Sequence, residues 1–66
     1  MELSERIVAD PGVMGGKQCI RGTRVTVGAI LSLLSEGTPQ QVILEDYPYL
    51  QADDIHAALQ QAHRFA

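Results

Sequence analysis

The sequence predicts an α+β fold, mostly α, in which a short N-terminal β-hairpin packs on a bundle of three helices. Three observations predict it. Two short runs, Arg6-Ile7-Val8 and Gln18-Cys19-Ile20, flank a stretch punctuated by Asp10-Pro11-Gly12 and Gly15-Gly16. Val27, Ile30, Leu31 and Leu34 then recur at the i, i+3, i+4, i+7 spacing of one buried helical stripe. Finally, Glu36-Gly37-Thr38-Pro39-Gln40-Gln41 stops one helix and starts another, and Asp46-Tyr47-Pro48-Tyr49-Leu50-Gln51 marks a second junction.

The two short runs read as strands joined by a turn. Alternation does not say which face they bury, because Ile7 and Val8 are adjacent, as are Cys19 and Ile20. Arg21-Gly22-Thr23-Arg24 follows as a tight loop, and Thr26 is placed to cap a helix from Val27 to Glu36 whose polar face carries Ser32, Ser35 and Glu36. Gly37 supplies the left-handed residue that ends it. Thr38 then caps the next helix, Pro39 fits its first position and Gln41 completes a capping box. This second helix, Pro39 to Asp46, is barely two turns long and offers Val42 and Ile43 to the core, so it needs tertiary packing to form. Tyr47 and Leu50 plug the space before a third helix, Ala52 to Phe65, whose buried stripe is Ile55, Ala58, Leu59 and Ala62. Asp53 and Asp54 lie in its first turn, where carboxylates favour the positive end of the helix dipole from a solvated surface. Short helices joined by tight turns give the bundle a helix-turn-helix-like cast.

The 66 residues make one domain, with residues 1–25 as the hairpin and its Gly-Thr-Arg loop and residues 26–66 as the bundle. A chain this short buries only about 60% of the surface it exposes when unfolded. Without a disulfide framework or metal-ligand spacing, association is the remaining route to stability, and a homodimer or a complex is expected. Cys19 has no second cysteine to bridge to and reads as a small core residue. No apolar run is long enough to span a bilayer, and the acidic start is not a signal peptide. The expectation is a cytoplasmic protein without membrane contact.

Net charge is −3, which argues against a generic nucleic-acid binder, whose affinity rests on Lys and Arg neutralising phosphates. The charge is unevenly spread. Residues 1–24 carry Arg6, Lys17, Arg21 and Arg24 against Glu2, Glu5 and Asp10; beyond them only Arg64 opposes Glu36, Glu45, Asp46, Asp53 and Asp54. A basic front half precedes an acidic helical half.

Asp10-Pro11-Gly12, Gly15-Gly16-Lys17, Ile20-Arg21-Gly22-Thr23-Arg24-Val25-Thr26-Val27, Glu36-Gly37-Thr38, Asp46-Tyr47-Pro48 and Leu50 together resemble the family known as domain of unknown function 433. The resemblance covers nearly the whole chain, and the Gly-Gly-Lys-x-x-Ile-Arg-Gly-Thr-Arg run is its specific part. It implies a hairpin on a helix-turn-helix-like bundle and a role as the antitoxin of a type II toxin–antitoxin pair, whose companion is a PIN-like ribonuclease toxin. Autoregulation of the operon is a second expectation. Gln51 stands where the family pattern often has a Ser or Thr cap, and Gln18 where it often has Pro; Gln51 is a poor cap, which predicts a frayed or shifted start to the third helix.

Lys17, Arg21, Gly22, Thr23 and Arg24 are the candidate partner-binding residues. Gly22 lets the backbone turn sharply, so that two guanidinium groups project from a stiff loop and can each grip a carboxylate or phosphate through two hydrogen bonds. One arginine can instead pair internally with Asp10, Asp46 or a helix C-terminus. Arg24, adjoining the first helix, is the expected clamp, and Arg21 the expected exposed group. The arginine that is presented would enter the acidic, Mg²⁺-binding cavity of the toxin. The competing function is a helix-turn-helix DNA-binding regulator without a toxin partner, with Lys17, Arg21, Arg24, His56 and Gln60 as its nucleic-acid contacts. Against it, Asp53 and Asp54 open the candidate recognition helix with charge of the wrong sign.

Other constellations carry less. Gly12-Val13-Met14-Gly15-Gly16-Lys17 has Pro11 where a phosphate loop needs Gly and Gln18 where it needs Ser or Thr, so it reads as a turn. His56 and His63 share a helix face but lie about 10 Å apart along the axis, too far to hold one ion. No nucleophile, base or cofactor motif is present, and the expectation is a binding module with no cofactor and no catalytic residue.

Overall fold

The computed structural model describes residues 4–64. β1 (Ile7–Ala9) and β2 (Gln18–Ile20) form an antiparallel hairpin in the register Ile7↔Ile20, Val8↔Cys19, Ala9↔Gln18. Side chains alternate across a strand, so Ile7 and Ile20 turn into the bundle while Val8 and Cys19 share the other face. Register thus decides what adjacent apolar residues left open. The connecting loop is held by the Asp10 carboxylate, which accepts from the Gly12 N–H at 2.8 Å. Met14, Gly15 and Gly16 then take φ of 51°, 66° and 85° in succession, a left-handed turn in which Met14 is the one residue with a Cβ to strain. Beyond β2 the chain doubles back, with the Ile20 N–H donating to the Val25 carbonyl at 2.9 Å and the Thr23 N–H to the Ile20 carbonyl at 3.0 Å.

The first helix, α1 (Val27–Ser35), begins where Thr26 Oγ1 accepts from the Ala29 N–H at 3.0 Å. It ends at Gly37, at φ +86°, with the Gly37 N–H bonded to the Leu34 carbonyl and the Thr38 N–H to the Leu33 carbonyl, both at 3.0 Å. This double closure is a Schellman motif, and it assigns Thr38 to the end of α1. The capping box expected at Thr38 and Gln41 therefore does not form. Pro39 stays extended and starts α2 (Gln40–Asp46) with its own carbonyl, which accepts from the N–H groups of Val42 and Ile43; Gln41 Nε2 donates instead to Glu45 Oε1 one turn on. A turn closed by the Leu50 N–H on the Tyr47 carbonyl, with Pro48 second in it, leads to α3 (Ala52–Arg64). Phe65, the expected end of that helix, lies outside the described residues.

The core joins Ile7 and Ile20 of the hairpin to Val25, Val27, Ile30, Ile43, Leu50, Ile55 and Ala58, with Tyr47 and Leu34 among the residues packed at its edge. Two expected core residues are outside. Val42 is 38% exposed, because α2 turns Ile43 inward and a neighbouring residue points about 100° away around the helix. Leu59 is 45% exposed, because the inward line of α3 runs through Asp54, Ile55, Ala58 and Gln61. Two polar residues, Asp54 and Gln61, are thus buried at positions that the periodic stripe left outside. Among the described residues no helix is long and apolar enough to cross a membrane.

Candidate functional site

The loop between the strands and the loop after β2 face each other across a groove of about 440 Å³ on the outer face of the hairpin. Val8, Val13 and Cys19 line it, with Asp10, Lys17, Gly22, Thr23 and Arg24 around them. Cys19 is fully buried, as expected of a small core residue, and its Sγ lies 3.4 Å from the Lys17 carbonyl. The shape of the rim follows from two residues. Gly22 sits at φ +78°, where an L side chain is strained, and the Thr23 hydroxyl donates to the Ile20 carbonyl at 2.8 Å while accepting from the Val25 N–H at 3.0 Å. Gly22 and Thr23 are thus loop-forming residues; Thr23 has already committed its only hydroxyl proton. Lys17 and Arg24 are exposed, and neither side chain has a hydrogen-bond or ion-pair partner among the described residues.

Arg21 and Arg24 are both exposed, but the internal clamp expected of Arg24 is made by Arg21. The Arg21 guanidinium folds back on the entry to β1, donating from Nε to the Glu5 carbonyl at 2.8 Å and from Nη2 to the Ser4 carbonyl at 3.5 Å. Arg24 has no such tether among the described residues. The reason is the register: the Arg21 N–H donates to the Arg6 carbonyl at 2.7 Å, which sets the Arg21 side chain beside the incoming chain, while Arg24 lies across the turn. Arg21 accordingly lines a different groove, of about 580 Å³, with Arg6, Tyr49, Gln51 and Asp54.

The tie between hairpin and bundle exists, but Arg6 makes it. Arg6 Nη1 donates to Asp54 Oδ1 at 2.8 Å and to Gln51 Oε1 at 3.3 Å, and Nη2 approaches Asp53 Oδ2 at 3.5 Å. The other Asp54 oxygen accepts from the Gln51 N–H at 2.8 Å, so the third residue of α3 caps the helix in reverse. This closes the helix start that Gln51 alone leaves weak. It also draws the Asp54 side chain to 8% exposure, whereas that of Asp53 stays at 77%. The two aspartates, expected to be equivalent on a solvated surface, are therefore unlike. The hydrogen bond to Asp54, followed by the charges of Asp54, Asp53 and Glu5, raises the Arg6 guanidinium above its ordinary pKa against a lesser, opposing effect of burial.

His56 and Gln60 are exposed on α3 and line none of the groove between the loops, so the nucleic-acid set suggested by sequence divides among three places. Lys17 and Arg24 share one, Arg21 another, and His56 and Gln60 a third. Among the described residues no group of three or more His, Cys, Asp or Glu is placed to hold a metal ion. The groove's own chemistry is charge and shape: a cation pair beside an apolar floor, suited to gripping a carboxylate or a phosphate.

Fold and groove together define a small, mostly helical α+β domain with a cationic cleft at its hairpin end. The profile of the family described as protein of unknown function (DUF433) matches residues 7–62, and the chain belongs to that family. No curated protein and no solved structure matches it significantly.

Proposed function

We propose that the protein is the antitoxin of a type II toxin–antitoxin pair and neutralises a PIN-like ribonuclease by docking the groove between its two loops on the toxin's acidic site. The observation that carries this reading is the pair Lys17 and Arg24, two exposed cations on one groove with no side-chain partner among the described residues. A desolvated guanidinium is stabilised by carboxylates in planar, two-point contact, and a nuclease that gathers carboxylates around Mg²⁺ offers them. Arg24 enters that cavity and Lys17 meets its rim. Membership of the family supports the reading through the Gly-Gly-Lys and Gly-Thr-Arg runs, which build the two walls of the groove.

Operator binding through a helix-turn-helix contact of α3 is the weaker reading. Arg6 neutralises Asp54, which removes one unfavourable charge, but Asp53 stays exposed at the head of that helix and the chain keeps its net charge of −3. Co-expression with the product of the neighbouring reading frame, which this reading requires to be a small nuclease, tests the proposal. Wild type restores growth, and Arg24→Glu with Lys17→Glu does not. Full rescue by the charge-reversed chain would refute it.

A further inference from the structure

The outer face of α3 is a stripe of four exposed residues, His56, Leu59, Gln60 and His63, which line one shallow groove of about 400 Å³. Their spacing is i, i+3, i+4, i+7, the seam along which one helix packs on another. Leu59, 45% exposed, is the large apolar residue at its centre. Read from either end the stripe is the same in its outer positions, with histidine three residues before Leu59 and histidine three residues after Gln60. A two-fold interface needs a patch that complements itself, and this one does so about a point between Leu59 and Gln60.

We infer that α3 is the interface of a homodimer, packed antiparallel on α3 of a second copy. In that arrangement Leu59 meets Gln60 of the copy near the axis, and His56 meets its His63. Charge favours this direction. Asp53, whose side chain is 77% exposed one turn before His56, comes within a turn of the opposing His63, and each helix's N-terminal end lies beside the other's C-terminal end. A parallel pairing would set Asp53 against Asp53. Size points the same way, since a domain of this length has little core and gains by covering an exposed leucine. The interface shares no residue with the groove between the loops, so it stands or falls apart from the toxin reading.

Sedimentation equilibrium on the purified chain tests it, with circular dichroism confirming that each variant is folded. Wild type dimerises; Leu59→Glu weakens the dimer on the order of a hundredfold, since two buried leucines are replaced by charge. Gln60→Leu, which makes the centre wholly apolar, tightens it. Cysteine pairs fix the direction. Residue 60 and its copy are offset by about 1.5 Å along the axis and residue 56 and its copy by about 10 Å, at a helix separation of about 8–10 Å. Gln60→Cys therefore cross-links to itself on mild oxidation, and His56→Cys cross-links only when mixed with His63→Cys; wild type, with Cys19 buried, gives no cross-link. A wild-type monomer at millimolar concentration, a dimer indifferent to Leu59→Glu, or a monomer whose binding of DNA is lost in that variant would each overturn the inference.

Discussion

Replacing Asp54 by alanine should destabilise the fold while replacing Asp53 should not, although the two are neighbours of one type in the same helical turn. The Asp54 side chain is 8% exposed, and its two oxygens accept from Arg6 Nη1 and the Gln51 N–H, each at 2.8 Å. Loss of the cap on Gln51 alone costs about 1 kcal/mol. In a domain of this size each kcal/mol moves the midpoint by about 4–8 °C, so Asp54→Ala lowers Tm by at least about 5 °C. Asp53, at 77% exposure and 3.5 Å from Arg6, makes the kind of surface pair whose removal is worth a few tenths of a kcal/mol at most. Asp54→Asn keeps an oxygen for the Gln51 N–H and should recover about half of the loss. Thermal unfolding followed by circular dichroism reads all three. Equal midpoints for the Asp53 and Asp54 variants would refute the reverse cap and the tie to the hairpin.

Other outcomes follow from backbone and core. Met14 carries a Cβ at φ 51° with 45% of its surface exposed, so Met14→Asn, which tolerates that conformation, should raise Tm by several degrees, from about 1 kcal/mol of relieved strain. Gly22→Ala meets no atom within 4 Å of the added Cβ, so its cost of about 1–2 kcal/mol is conformational alone and should appear as a lower urea midpoint at unchanged slope. Ile43, fully buried, should lose about 2–5 kcal/mol on truncation to alanine, enough to unfold a small domain near 37 °C, whereas Val42→Ala next to it should shift the midpoint little.

Much of the fold was legible because its signals are local. Thr26 caps α1 and Gly37 ends it in the left-handed region, as residue type alone indicates. What failed was the reading of residues that choose between two neighbours. Thr38 has the chemistry of an N-cap, yet its N–H closes α1 because Gly37 brings it back to the Leu33 carbonyl. Leu59 fits the periodic stripe, yet α3 is rotated so that Asp54 faces Arg6, a contact across 48 residues that no pattern within the helix announces. A carboxylate three residues after a weak cap was the one sequence signal for the reverse cap. The site fared similarly. The Gly-Gly-Lys and Gly-Thr-Arg runs do converge, bringing Lys17 and Arg24 to one groove, but which arginine is tethered depended on hairpin register, and it is Arg21.

The central claim is that Arg24, offered from a groove without a side-chain partner among the described residues, engages an acidic site on another protein. Calorimetric titration of the purified chain into the purified product of the neighbouring reading frame, which the account requires to be a nuclease, tests this most directly, comparing wild type with folded Arg24→Glu. The account predicts at least about thirtyfold weaker binding for the variant, equivalent to about 2 kcal/mol for a buried charge pair turned repulsive. Equal affinity for the two proteins would contradict it.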